Sequence, residues 1–335
     1  MDYKGIIIFG QIQDSLIKEL EKDIFVDAID YNAENFEKTI DRTLRNNKIP
    51  FLIKDNENYS EWNNQEETKK YMTFFIDFCQ SDFEQQSPGI QEFHKNTKAL
   101  SYANASYILI ANDIKKTVTL IKKLWKFRNS GGVLSRELIT LMIDCGMLIV
   151  GGNTKSISNA SYDLLIGEEY YHGGKIAQLT TQDPFIQIEP YDYVIASCKE
   201  MTNFPRDISA RFDISVNLFC QGIIMSNSTQ VDPGFRGKLF CLLFNTSNKT
   251  VYLQKDTHFT TLEFHKLLEP TTPYSGKYNG IENILPYLPT NVLQGAIHEL
   301  KIEIEKMKSE NKTLQNIILG SLSIFLALIA ILLVL

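Results

Sequence analysis

Val231–Gly237 reads VDPGFRG, and this stretch decides how its neighbours are read. Pro233 fixes φ at about −65° and Gly234 supplies positive φ, so Asp232-Pro233-Gly234 is a tight turn that holds the Asp232 carboxylate at a set angle. Short runs of β character lie on both sides. Tyr191–Ser197, Arg211–Leu218 and Gly222–Met225 precede it; Lys238–Phe244, Thr250–Leu253 and Phe259–Phe264 follow. Gly, Pro and Asn separate them, a pattern that predicts an all-β sandwich or barrel. The β region begins after Gly151-Gly152. A helix over Leu134–Leu148, with Ser135 as its N-cap, is predicted to open it.

Further toward the N-terminus the pattern alternates. Gly5–Gly10 (GIIIFG), Ile24–Ile29, Ile49–Ile53 and Tyr107–Ala111 read as strands. Ser15–Lys22, Asn35–Arg45 and Ile114–Phe127 read as helices, the second with Phe36, Ile40 and Leu44 on one face. Strands alternating with helices predict a parallel sheet, so residues 1–130 form an α/β domain, receiver-like or of another doubly wound type. Asp55–Glu67 reads as a loop and Asn129–Gly132 as a linker. Phe9-Gly10-Gln11 lacks the glycine spacing of a dinucleotide fingerprint. Asp27, Asp30 and Glu34 read as a solvated loop, and no catalytic constellation stands out.

Toward the C-terminus, Leu293, Ile297, Leu300, Ile304, Met307, Asn311 and Leu314 alternate spacings of four and three. This is a heptad with Ile297, Ile304 and Asn311 at a, and Leu293, Leu300, Met307 and Leu314 at d. A coiled-coil stalk over 291–315 is predicted in preference to a helix lying on its own domain. Asn316–Leu335 (NIILGSLSIFLALIAILLVL) carries no charge. As a helix it spans roughly 30 Å, the thickness of a bilayer's hydrocarbon core. The expectation is a single transmembrane tail anchor over 316–335. Lys301, Lys306, Lys308 and Lys312 precede it on the side the positive-inside rule requires. Met1–Gly10 reads as a start and a strand with no leader, which places the bulk of the chain in the cytoplasm.

The net charge of −6, with no basic block, excludes a general nucleic-acid binder. Cys79, Cys145, Cys198, Cys220 and Cys241 are scattered without a CxxC, as reduced cytosolic thiols are. Neither they nor the five dispersed histidines offer a metal site.

Four stretches, in order, resemble the dCTP deaminase/dUTPase superfamily. Leu134–Leu148 (LSRELITLMIDCGML) is similar to its opening helix, and Ser158–Gly167 (SNASYDLLIG) to its ASYDLRLG strand. Val231–Gly237 is similar to its IDPGxxG turn, with Asn245 at the family's Asn position, and Tyr274–Gly280 (YSGKYNG) to its YxGKYxG closing segment. The resemblance covers about Val133–Leu285. It implies a dUTPase-like distorted barrel over 133–288 and a homotrimer, although Ile at a with Leu at d of the stalk favours two strands. It also implies a nucleotide-binding set of Arg211, Asp232, Phe235, Lys277 and Tyr278. By the same resemblance Asp232 faces the sugar and orients water, and is the one catalytic candidate if the protein is active. Phe235 lies under the base, and Lys277 and Tyr278 belong to a closing tail.

The chain departs from the pattern where the family does its chemistry. Of the RSS run only Arg211 remains, in Arg211-Phe212-Asp213, and the second arginine is Val216. Asp213 then stands where an anion must bind, a like-charge cost of about 4 kcal/mol at an effective dielectric near 20. Cys241–Asn245 (CLLFN) puts Leu242 where the deaminase has its Glu, and leucine neither activates water nor moves a proton. Thr261 replaces the family's Gln, and the glycine-rich tail of dUTPases is absent. Three readings follow: a membrane-anchored protein that binds or senses a deoxynucleotide with its deaminase chemistry lost; an active dUTPase-like or dCTP deaminase-like enzyme; or a structural trimeric adaptor. No resident cofactor is expected. A bound nucleoside triphosphate would bring Mg²⁺ with it.

Overall fold

The apolar run GIIIFG forms β1 (Gly5–Gly10), in which Ile6, Ile7 and Ile8 are all buried. Burial of successive residues means both faces are covered, as in parallel sheets. The computed structural model describes residues 3, 5–10, 14–22, 51–54, 71–78, 106–226, 230–288 and 296–334. Helix α1 (Asp14–Glu21) follows β1, and then come β2 (Phe51–Lys54), β3 (Tyr71–Phe78) and β4 (Tyr107–Ala111). Among the described residues the sheet order is β2-β1-β3-β4, all parallel. Strand β3 was not anticipated from the sequence. The predicted strand Ile24–Ile29, the helix Asn35–Arg45 and the loop Asp55–Glu67 lie outside the described residues. Helix α2 (Ile114–Lys126) starts at Asp113, whose carboxylate accepts from the Lys116 amide at 3.1 Å, and buries Val118, Leu120, Ile121 and Leu124.

Strand β5 (Gly132–Val133) leads into helix α3 (Arg136–Asp144). The helix stops well before the predicted Leu148 because Gly146 takes φ +73°, and a Cβ there would lie 2.7 Å from the Cβ of Ile110. The chain turns at this close approach to β4 and continues as β6 (Leu148–Val150). Next come β7 (Ser161–His172), β8 (Lys175–Gln178), β9 (Phe185–Ile188), β10 (Tyr193–Asn203) and β11 (Ile208–Ile214). The strand predicted over Arg211–Leu218 is cut at Ile214. There Ser215 caps a short helix, α4 (Val216–Cys220), its Oγ accepting from the Leu218 amide at 3.5 Å. Strands β12 (Ile223–Met225), β13 (Gln230–Val231), β14 (Arg236–Asn245), β15 (Val251–Gln254) and β16 (His258–Lys266) complete the set.

The large sheet runs β12-β14-β10-β7-β16-β11-β13, antiparallel throughout, with β9 and β15 as a separate pair. It curls because β7 changes partner: Ser161–Leu165 pair with β16, and Ile166–Tyr171 with β10. At this break Glu200 Oε2 accepts from the Leu165 amide (3.0 Å) and Ser197 Oγ from the Glu169 amide (3.1 Å). Side chains thereby satisfy N–H groups at the break in the ladder. Among the described residues the main apolar cluster runs without a break from Ile6, Phe74 and Leu109 of the parallel sheet to Leu164, Phe204 and Phe264 of the curled one, and a smaller one gathers Tyr171, Ile195, Phe240 and Ile284. The main cluster continues across the predicted linker Asn129–Gly132.

Helix α5 (Ala296–Val334) covers 296–315 of the predicted stalk, whose first residues lie outside the described ones, and has Ile304, Met307 and Leu314 exposed. Ile317, Ile318, Leu319, Phe325 and Leu326 of the same helix are also exposed. Among the described residues no helix is long and apolar enough to cross a membrane. The predicted anchor Asn316–Leu335 lies partly outside them, since most side chains from 327 onward are not described.

Candidate functional site

The VDPGFRG turn is fastened at every residue from Asp232 to Lys238. Gly234 takes φ +76°, and a Cβ there would lie 2.5 Å from the Cβ of Pro273. Only glycine meets both conditions. The amide of Phe235 donates to Asp232 O (3.1 Å), Tyr274 N to Pro233 O (2.9 Å), Gly280 N to Arg236 O (2.7 Å) and Lys238 N to Ile281 O (2.9 Å). Asn279 adds two bonds: its Oδ1 accepts from Arg236 N (3.0 Å), and its Nδ2 donates to Tyr274 O (3.1 Å). The closing segment Tyr274–Gly280 therefore lies against the turn within a single chain.

Between them is a cleft of about 410 Å³, lined by Phe212, Gln230, Asp232, Phe235, Phe240, Tyr274, Tyr278 and Tyr287 along with Val231 and Leu239. Its walls are aromatic. Phe235 meets Tyr274 edge-on with centroids 5.6 Å apart, and Tyr278 stacks on Tyr287 at 4.5 Å. The charged side chain in the lining is Asp232, exposed, with Oδ1 accepting from Gln230 Nε2 at 3.1 Å. Lys277 is at the rim, its Nζ 4.8 Å from the Tyr278 ring centroid. Such a site can sandwich a planar ring between aromatic faces and present a fixed carboxylate to a hydroxyl or a water.

Of the five predicted binding residues, the structure brings Asp232, Phe235 and Tyr278 to this cleft and Lys277 to its edge. Arg211 is not itself in the lining: it is exposed in the middle of β11, directly opposite Gln230, which is. Side chains alternate along a strand, so Phe212 turns to the buried side of β11 while Arg211 and Asp213 emerge on its exposed side, the side that Gln230, directly opposite Arg211, also takes. Asp213 is not in the lining either, and its Oδ1 accepts from the Ile214 amide at 2.7 Å. Leu242 packs against the buried group Tyr171, Ile195, Phe240 and Ile284, and does not plug the opening. Thr261 hydroxyl donates to Asp163 Oδ1 at 3.3 Å, outside the cleft. Sequence reasoning missed Gln230, Phe240, Tyr274 and Tyr287 as wall residues. Tyr274 opens the quoted closing motif, and Gln230 lies two positions before Asp232 on the same strand face, so both had a signal.

Burial raises the Tyr287 hydroxyl well above the usual phenol range, with Tyr274 and Tyr278 adding to the shift, so it stays neutral; it donates to Lys238 O at 3.5 Å. Away from the cleft, burial pushes the Glu200 carboxyl up to about 7. Cys198 and Cys241 are buried, and burial with the neighbouring Cys241 thiol holds Cys198 well above an ordinary thiol. Among the described residues no group of three or more His, Cys, Asp or Glu is placed to hold a metal ion.

A profile of the dCTP deaminase-like family matches residues 133–267. Over 135 residues the chain is 33% identical to a dCTP deaminase of Pyrococcus horikoshii, covering 40% of this chain and 85% of that one. Over 143 residues it is 34% identical to a dCTP deaminase of Thermococcus gammatolerans, covering 42% and 90%. A dUMP-forming dCTP deaminase of Aquifex aeolicus is 26% identical over 167 residues, covering 46% and 93%.

Proposed function

The chain belongs to the dCTP deaminase-like family through residues 133–267, and on that premise we propose that it binds a deoxynucleotide in the cleft at Asp232 and Phe235 without deaminating it. The observation that carries this reading is an open cleft together with Leu242 at the position where the resemblance puts the deaminase's Glu. Aromatic walls and a fixed carboxylate remain, while Leu242, at the position of the family's Glu, is packed in an apolar cluster. No group there activates water at a cytosine ring. Asp232 would orient the sugar, Phe235 would support the base, and Tyr278 with Lys277 would close over them. Mg²⁺ would arrive with a triphosphate. The assembly is proposed to be a homotrimer carried on the α5 stalk and held in a membrane by Asn316–Leu335, with the rest of the chain cytoplasmic. The charge-free run of twenty residues and the exposed apolar side chains of Ile317–Leu319 support that anchor.

The test is thermal stabilisation of the purified protein by dCTP and dUTP, with released uracil nucleotides and pyrophosphate followed in parallel. Stabilisation without turnover is expected, and Asp232→Ala is expected to abolish it. The exposed Asp232 carboxylate and the names of the relatives favour a second reading, a hydrolase or deaminase of deoxynucleotides. Steady product formation that Asp232→Ala removes would establish that reading instead. No binding across a panel of nucleotides would leave the trimeric adaptor.

A further inference from the structure

Asn203–Asp207 (NFPRD) links β10 to β11, and its hydrogen bonds run in two directions. Toward the cleft, Phe204 N donates to Phe235 O (3.0 Å) and Gly234 N donates to Pro205 O (3.0 Å). Arg236 Nε donates to Asn203 Oδ1 (3.0 Å). Toward the parallel sheet, Asn203 Nδ2 donates to Ile108 O (3.2 Å) and to Gly146 O (2.9 Å). Arg206 N donates to Ser106 O (3.1 Å), and the Tyr107 hydroxyl donates to Asp207 Oδ2. Three consecutive residues of the cleft turn and three consecutive residues of the N-terminal segment 106–108 are thus joined through one five-residue loop.

The loop is held by a buried charge. Asp207 pairs with Lys266 at 2.7 Å, the two side chains being 2% and 5% exposed. Asp207 Oδ1 is buried and finds no hydrogen-bond partner among the described residues. A half-satisfied buried ion pair is a poor source of stability compared with apolar packing. What it supplies is a fixed geometry, because Asp207 cannot leave Tyr107 and Lys266 without stranding a charge.

We propose that Asn203–Asp207 is a positioning element of the cleft, through which the N-terminal sheet and the Gly234–Arg236 turn share one equilibrium. The proposal rests on the nucleotide-binding reading for the ligand's identity, but not for the coupling itself. Residues Asn203, Tyr107 and Asp207 touch no ligand; they act through Gly234, Phe235 and Arg236. A base seated on Phe235 would tighten the turn, and the same bonds would then order 106–108. The N-terminal domain acquires a role on this view: it reads, or sets, the state of the cleft.

The experiment is amide hydrogen exchange on the full chain. Tyr107→Phe keeps the ring that stacks on Phe74 at 4.8 Å and removes only the hydroxyl. Without any ligand, this variant is expected to speed exchange in 231–237 by about fivefold or more, the usual lower size of a coupling. Exchange in β9 and β15, remote from the loop, should stay as in the native protein. Unchanged exchange in 231–237, or an equal rise in β9 and β15, overturns the coupling. In the native protein dCTP is expected to slow exchange in both 231–237 and 106–111. Slowing confined to 231–237 also overturns it. Absence of any effect of dCTP, dUTP and the other deoxynucleoside triphosphates refutes the nucleotide reading, while the ligand-free comparison still decides the coupling.

Discussion

At Glu200 a carboxyl is 7% exposed, accepts from the Leu165 amide and has its pKa raised by burial from 4.5 to about 7. A folded-state value above the unfolded one stabilises the fold fully below pH 4.5, and that contribution is lost as pH rises through 7. The loss amounts to about 3 kcal/mol. Glu200→Gln keeps an acceptor for Leu165 but no longer titrates. Denaturant midpoints measured from pH 4 to 8 should therefore show the variant gaining on the native protein as pH rises; parallel curves would refute the assignment. Gly234→Ala tests the turn: positive φ and the contact with Pro273 should together cost about 2 kcal/mol and weaken nucleotide stabilisation. At this scale the sequence was partly legible. The Asp232 turn followed from local chemistry, while Phe235 and Tyr278 were reached through the family resemblance. Arg211, reached the same way, is not in the lining, because which strand residues line a cleft depends on sheet geometry that no local motif carries.

Among the elements, the hairpin at Asn245 shows what a motif residue does physically. Its Nδ2 donates to Ile188 O (2.9 Å) and Lys249 O (2.8 Å), and its Oδ1 accepts from Ser247 N (2.9 Å) and Ser247 Oγ (2.8 Å). It fastens the β14–β15 turn to β9 and does not line the cleft. Asn245→Ala is expected to destabilise the protein by about 2 kcal/mol, from several buried polar groups left unpaired, with affinity for nucleotide unchanged in folded protein. A lost affinity at unaltered stability would assign it to binding instead. Strands β14 and β16 were legible from their apolar content and flanking turns. The end of β11 was not, because Val216 and Leu218 look like strand residues and only the cap at Ser215 redirects the chain. The latter half of β7, Glu168–His172, escaped for a related reason. Its mixed polar sequence carries no clean alternation, and its pairing with β10 depends on the partner change at Ile166.

For the molecule as a whole, deletion of 316–335 is expected to move the protein from the membrane pellet to the supernatant on cell fractionation, without changing the oligomeric state seen by light scattering. Retention in the pellet would dismiss the anchor, and loss of the oligomer would shift assembly from the β domain to α5. The parallel character of the first sheet and the β-rich character of the second were legible because their strand patterns differ so plainly. The loop Asn203–Asp207 was not, since Tyr107 and Asp207 meet across one hundred positions of chain and nothing local in either announces the other. The unbroken oil-like interior from Ile6 to Phe264 has a practical result for anyone handling this protein. A scissor cut at Gly131 would release two sticky fragments, each with a bare greasy flank, and a calorimeter should register the intact barrel and its companion sheet melting as a single peak.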